Sequence, residues 1–192
     1  MKPTYLRAAL VGVALAATPA VAADTDIDAL KAEAVSLIQS FGGTLKGELQ
    51  EAMKAGGPIN AISVCNEKAP GIAASLSEDS GWSVGRSSHM LRNPDNAPDA
   101  FTAAAMDDFL ARIADGESPE DLAAAAIVEE GGQQVFHLVK AIPTAGMCLK
   151  CHGANIDEEV TAKLDELYPE DQARGFSNGD MRGVFTLSKV LD

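Results

Sequence analysis

The sequence predicts an α+β fold in which helices come first and an antiparallel sheet follows. Apolar residues recur at helical spacing over residues 24–54, which indicates one long N-terminal helix. Two runs rich in β-branched and other apolar residues, 124–129 and 133–142, flank the pair Gly131-Gly132. A glycine pair between two such runs is typical of a tight hairpin. Helices followed by strands therefore favour a sheet packed on helices.

The remaining elements follow from shorter patterns. Gly56-Gly57 ends the first helix and Pro58 opens a second, which Pro70-Gly71 is expected to interrupt. Residues 81–88 alternate like a strand, residues 99–114 form an amphipathic helix, and Asn155 caps a helix that carries apolar residues as far as 167. Residues 183–191 close the chain as a strand. We find no repeat or low-complexity linker and expect one domain over residues 24–192.

Residues 1–23 have the organisation of a secretory signal peptide. Lys2 and Arg7 give a charged start, residues 8–17 form a short apolar core, and small residues follow, with cleavage expected after Ala22 or Ala23. An apolar run of this length is too short to span a bilayer, and no later stretch is long or apolar enough to do so. We therefore predict an exported, periplasmic protein without a membrane span after cleavage.

The charge of the chain excludes some classes of partner. The formal charge is −13, and loss of Lys2 and Arg7 with the signal takes it to −15. A chain this acidic is repelled by nucleic acids and by anionic lipid surfaces. We expect the partner to be a redox or signalling protein. The sequence gives no indication of an oligomeric state.

Residues Cys148 to His152 form the C-x-x-C-H motif for covalent attachment of a c-type haem. Cys148 and Cys151 supply two thiols that form thioether bonds to the vinyl groups of one porphyrin. His152 supplies an axial imidazole to the iron. Because c-type haem is attached after export, the motif and the signal peptide support each other. The predicted cofactor is one covalently bound haem c.

A zinc site, a redox-active dithiol and a plain disulfide are the other structures that two cysteines and a histidine at this spacing could form. A zinc site needs four ligands, and only Cys65 and two scattered histidines remain to complete one. A thioredoxin-like dithiol requires a βαβ setting, which is not evident around residue 148. A plain disulfide would leave His152 without a role. The haem motif accounts for all three residues.

The second axial position decides whether the iron carries electrons, binds a gas or reports redox state. Cys65 is the third cysteine of an exported chain and remains single when haem takes the other two. On spacing alone it is either a small buried apolar residue or a ligand. Other candidates are His89, His137, Met53, Met90, Met106, Met147 and Met181. Arg86 and Arg92 are candidates for contacts to the haem propionates, with ordinary ion pairs as the alternative.

Six ordered segments resemble one known family. They are residues 64–66 with Ala69-Pro70, residues 85–88, residues 92–98, the motif and Gly153, residues 168–176, and residues 179–183. The sequence resembles the single-haem, c-type, PAS-like domain family, whose members also form the sensor part of some histidine kinases. The resemblance implies a PAS-like antiparallel sheet that holds the haem, and an iron with Cys65 opposite His152. It also implies a role in redox or gas sensing, or in electron transfer.

We weigh three functions. The first is an exported monohaem protein that senses redox state or a gas, or that transfers electrons to a partner protein. The second is a plain soluble electron carrier with a closed His/Met or His/His iron. The third is a small haem peroxidase, which needs an acid–base side chain over an open iron. No spacing in the sequence indicates such a side chain, so we do not expect an enzyme.

Overall fold

The structure is a computed structural model, and it describes residues 25–191. The predicted signal peptide at residues 1–23 lies outside the described residues. Within the described part of the chain, no helix combines the length and the apolar character needed to cross a membrane.

The long N-terminal helix α1 spans Ile27–Ser63 and confirms the helical periodicity. Asp26 caps its first turn, because the side-chain oxygen accepts a hydrogen bond from the Ala29 amide at 2.9 Å. Gly56 and Gly57 are not helical, with φ of −160° and +70°, so the helix divides there as predicted. Pro58 begins the second part, where its fixed φ suits a first helical turn.

A π-helical turn, Val64–Lys68, continues directly into helix α2, Ala69–Ser80. The predicted interruption at Pro70-Gly71 is therefore wrong. Pro70 has no amide hydrogen, and a proline ring crowds the carbonyl four residues earlier, here that of Asn66. The wider π-turn relieves this crowding. In this turn the Ala69 amide donates to the carbonyl of Val64, five residues earlier, and not to that of Cys65, which an α-helix would use. Cys65 lies in this turn.

Four strands form one antiparallel sheet in the order β1-β4-β3-β2. The strands are β1 Ser83–Ser87, β2 Ala123–Glu130, β3 Gln133–Pro143 and β4 Met181–Val190. Gly131 and Gly132 join β2 to β3 with φ of +59° and +84°, which a two-residue hairpin turn of this type requires. The predicted fold class, α+β with a long N-terminal helix and an antiparallel sheet, is confirmed.

Helices cover both faces of the sheet. Helices α1 and α2 pack on the face that carries Phe136, Leu138 and Leu187. Helix α3, Ala100–Ala114, packs on the other face, which carries Val139 and Val184. Helix α4, Leu149–His152, and helix α5, Glu158–Leu167, lie between β3 and β4 in the chain. Helix α5 begins after Asp157, so the predicted cap at Asn155 is wrong by two residues.

Gly183 lets β4 approach the end of β1 closely. A Cβ atom at this position would lie 2.4 Å from the Ser87 carbonyl oxygen and 3.2 Å from the Ser88 Cβ. We expect Gly183→Ala to lower the free energy of unfolding by about 1–3 kcal/mol, because backbone must move to admit the methyl group. Urea denaturation measures this change.

Gly47 supplies the matched control. It lies exposed in α1, and a Cβ there would meet nothing within 4 Å. Gly47→Ala is expected to raise stability by about 0.5–1 kcal/mol, the usual helix-propensity gain. If Gly183→Ala does not lower the free energy of unfolding, and changes it no more than Gly47→Ala does, the close approach at Gly183 is contradicted.

Candidate cofactor site

One cavity gathers five of the residues singled out in the sequence, and Cys148 and Cys151 are not part of its lining. It has a volume of about 260 Å³ and is lined by Cys65, Arg86, Arg92 and His152. This volume is slightly below the range of about 300–1,000 Å³ for small-molecule sites. Arg182 and Met90 also line it. The cavity lies on the face of the sheet that α1 and α2 cover, since Phe41 and Val84 belong both to its wall and to that core.

The Cys-x-x-Cys-His segment forms a single tight turn beside the cavity. Cys148 ends a short 3₁₀ turn, and α4 carries Cys151 and His152. Both motif cysteines are half-buried free thiols. The turn ends at Gly153. Glycine is needed at this position because a Cβ atom there would lie 2.6 Å from the Leu149 carbonyl oxygen. The Phe176 amide donates to the His152 carbonyl at 2.9 Å, which ties the turn to residues 173–176.

His152 is oriented and kept neutral by its surroundings. Its Nδ1 lies 2.9 Å from the Ala173 carbonyl oxygen. A carbonyl oxygen only accepts, so Nδ1 carries the proton and Nε2 keeps a lone pair. Burial, followed by the charges of Arg92 and Arg182, lowers the pKa of His152 to about 3. A neutral imidazole with Nδ1 held by a carbonyl is the usual form of a metal-binding histidine.

Cys65 lies close to the charged groups of the cavity. It is a half-buried free thiol in the π-helical turn. Burial is the main cause that lowers the pKa of Arg86 and raises the pKa of Cys151. A negative charge on Cys65 would raise the pKa of each of these two groups. Cys65 is therefore within electrostatic range of Arg86 and of the motif thiol. A thiol so placed is available to a ligand in the cavity.

Arg86 and Arg182 bring two uncompensated positive charges to the cavity. Neither has a carboxylate within 4 Å among residues 25–191. Burial lowers the pKa of Arg86, and burial with the neighbouring charge of Arg86 lowers the pKa of Arg182 to about 10. Both stay cationic at neutral pH. The Arg86 guanidinium lies 5.4 Å from the centre of the Phe41 ring. Two guanidinium groups without an anion favour an anionic ligand.

Arg182 is a cavity residue that was not among the candidates predicted from the sequence. It lies two residues after Asp180, at the start of β4. Antiparallel pairing of β1 with β4, with Ser87 opposite Val184, brings it beside the segment that carries Arg86. The Ser88 hydroxyl fixes this junction by donating to the Arg182 carbonyl at 2.7 Å. The only signal in the sequence was its place in the last segment of the family resemblance.

Arg92 differs from the other two arginines because its donors are engaged within the protein. Its Nε donates to Asp171 Oδ1 at 3.0 Å, and its Nη2 donates to the carbonyls of Cys151 at 2.6 Å and Ala173 at 3.0 Å. Its Nη1 lies 3.4 Å from His152 Nε2. The Arg92 and Asp171 side chains are only 12% and 1% exposed. Arg92 therefore braces the segments around His152 and has fewer free donors for an external anion than Arg86 or Arg182.

The other candidate axial ligands are distributed differently. His137 is buried on the opposite face of the sheet, where its ring lies 5.0 Å from that of Phe101. Its Nε2 is 3.0 Å from Glu130 Oε1, without hydrogen-bond alignment. His89 is exposed beside Phe176. Met106 and Met181 belong to the core under α3, Met53 lies in α1, and Met147 precedes Cys148. Met90 and Cys65 are the sulfur-bearing candidates that line the cavity.

Fold and site together define a small α+β domain with one cavity that combines an oriented imidazole, a thiol and unpaired guanidinium groups. The chain belongs to the Tll0287-like family, whose family model matches residues 19–189. The fold is similar to that of a solved structure, the cyanobacterial heme-protein Tll0287, with a TM-score of 0.64 and 23% sequence identity. The match covers 88% of this chain and 98% of that chain. No curated protein gives a significant match. The family resemblance drawn from the sequence motifs is confirmed.

Proposed function

We propose that this chain is an exported protein that binds one haem c covalently and senses redox state or a gas, or transfers electrons to a protein partner. The observation that carries the proposal is that one cavity is lined by His152, from the Cys-x-x-Cys-His motif, and by Cys65. Membership of a family that includes a cyanobacterial heme-protein supports it. The signal-like residues 1–23 support export to the periplasm.

The residues present fit a haem. Cys148 and Cys151 have the spacing for two thioether bonds, and His152 carries a lone pair on Nε2. The neighbour of that lone pair is Arg92 Nη1 at 3.4 Å, a contact that iron would replace. Arg86 and Arg182 match the two carboxylates of haem, because each guanidinium is without a carboxylate partner among the described residues. Both side chains are half-buried, and an unpaired cation partly withdrawn from water is costly, a cost that an anionic cofactor removes. We assign the propionate contacts to Arg86 and Arg182 in preference to Arg92.

A bound haem supplies one-electron redox chemistry and an iron that also binds small gases when an axial position opens. His152 would ligate the iron through Nε2. Cys65 would be a second ligand as a thiolate, and its negative charge would stabilise the oxidised state and lower the reduction potential relative to a methionine ligand. Because a single thiolate at the end of a short side chain can be displaced by a small ligand, Cys65 favours sensing over constant electron carriage.

Met90 supports a second candidate function. Its thioether lines the same cavity as Cys65. With Met90 as the axial ligand, the protein would be a plain electron carrier with a closed His/Met iron and a higher reduction potential. A peroxidase is not proposed. It needs an acid–base side chain over the iron, and the buried His137 lies on the opposite face of the sheet.

Ferric electron paramagnetic resonance (EPR) and absorption spectra of the matured protein test the axial ligand. We expect a low-spin thiolate signal that disappears in Cys65→Ala, because alanine removes the sulfur without enlarging the side chain. Met90→Leu, which removes the other sulfur of the cavity at similar volume, is the matched control and should leave the spectrum unchanged. A spectrum that survives Cys65→Ala but changes in Met90→Leu would replace the sensor with the plain carrier.

A further inference from the structure

Asp171 is a buried carboxylate at the centre of the bonds around His152. Its side chain is 1% exposed and accepts from Arg92 Nε at 3.0 Å and from Arg174 Nε at 2.8 Å. It also accepts from the Ala173 amide at 2.9 Å. These bonds satisfy the carboxylate and fix both Arg92 and the loop that carries Ala173. No functional role follows for Asp171 from its position in the sequence.

Arg92 connects Asp171 to His152 through two backbone carbonyls, those of Ala173 and Cys151. The Ala173 carbonyl accepts from Arg92 Nη2 at 3.0 Å and from His152 Nδ1 at 2.9 Å, so one oxygen serves both donors. The Cys151 carbonyl, in the residue before His152, accepts from the same Nη2 at 2.6 Å. Backbone on each side of the imidazole is therefore attached to one guanidinium, and Nη1 of that guanidinium also lies 3.4 Å from Nε2 of the ring. The guanidinium is in turn attached to Asp171.

We infer that Asp171 is a positioning residue for His152, acting through Arg92 and the Ala173 carbonyl on the orientation and electron donation of the imidazole. The inference rests on the proposed function, in which His152 is an iron ligand. Partners of a ligating histidine fix its ring and tune its basicity, and their loss alters the metal site although they never touch the metal.

The direction of the effect follows from charge. A cationic donor on the Ala173 carbonyl weakens that oxygen as an acceptor for Nδ1–H, and the negative charge of Asp171 offsets this influence of Arg92. Replacing Asp171 with asparagine leaves the charge of Arg92 uncompensated. His152 then donates less electron density, the reduced state is favoured, and the reduction potential shifts upward. The ring is also held less firmly, which alters the g-values of the ferric protein.

The experiment compares the haem-loaded wild-type protein with Asp171→Asn and Asp165→Asn. Asp165 is a matched control because it also accepts from Arg174, at 2.5 Å, but its side chain is 62% exposed. We measure the reduction potential by redox titration and the ferric g-values by EPR. Asp171→Asn is expected to raise the potential and shift the g-values. Asp165→Asn is expected to match the wild-type protein in both.

Wild-type values of both quantities in folded Asp171→Asn would overturn the inference. If Asp171→Asn does not fold, Arg92→Lys provides the second test, because lysine keeps the charge beside Asp171 but cannot bridge two carbonyls in the same way. Shifted g-values in Arg92→Lys support the inference, and wild-type g-values refute it. Failure of the proposed function is distinguishable, because the wild-type protein itself would then lack a haem spectrum.

Discussion

Replacing Cys148 and Cys151 together with serine is expected to abolish covalent haem attachment completely. The thioether bonds form at sulfur, and a serine hydroxyl is far less nucleophilic than a cysteine thiol. The structure holds both thiols half-buried in one turn that Gly153 closes, so serine fits the same space. We expect the haem of the double variant to be extracted by acidified acetone, while the wild-type protein retains its haem.

Cys65→Ser is the control for this experiment. It removes the third thiol of the chain but leaves the motif unchanged. We expect full covalent attachment in Cys65→Ser with an altered absorption spectrum. Retention of haem by Cys148→Ser/Cys151→Ser through extraction would contradict attachment at the motif. Loss of covalent haem in Cys65→Ser would mean that Cys65 takes part in a thioether bond, which would also contradict the assignment of both bonds to Cys148 and Cys151.

Replacing Arg86 and Arg182 together with glutamine is expected to have opposite effects on folding and on haem binding. In haem-free protein the two cations lie in one cavity without a carboxylate within 4 Å among residues 25–191. Removing them is expected to raise the free energy of unfolding by about 1–3 kcal/mol, since a desolvated unpaired charge is costly. The same change removes two charge-assisted bonds of about 1.5–3 kcal/mol each to the propionates, which corresponds to a loss of at least about 100-fold in haem affinity.

Both effects are measured in the Cys148→Ser/Cys151→Ser background, where haem binding is reversible. Urea denaturation gives the stability, and titration with haemin gives the affinity. Arg112→Gln is the control, because Arg112 lies outside the cavity and is already paired with Asp108 and Glu117. It should leave both quantities close to the values of the parent protein. Unchanged haem affinity in Arg86→Gln/Arg182→Gln would contradict the assignment of the propionate contacts.

The sequence predicted helix ends and turns correctly where the conformation depends on glycine residues at that point of the chain. The hairpin follows from Gly131-Gly132 because both residues need positive φ, and α1 divides at Gly56-Gly57 because Gly57 takes a φ of +70°. Pro70 was misjudged as a break because proline in a first helical turn leaves the helix intact, and the π-turn before it absorbs the crowding. These outcomes depend on a few neighbouring residues.

The site was predictable only in part because its residues meet through tertiary structure. The motif gave Cys148, Cys151 and His152, and the family resemblance gave Cys65. The distinction between Arg86 and Arg92 depends on Asp171, which lies 79 residues after Arg92 and is joined to it only in the folded chain. Strand alternation shows that His137 faces away from Phe136, but it does not show which face carries the cavity.

The most direct test of the central claim is the denaturing mass spectrum of the chain, produced in a bacterium that exports proteins and attaches c-type haem. We predict a single species that lacks residues 1–22 or 1–23 and carries the mass of one haem, with the haem located on the peptide that contains Cys148 and Cys151. A chain without added mass, or with the haem on a peptide that contains Cys65, would contradict a haem c site at this motif.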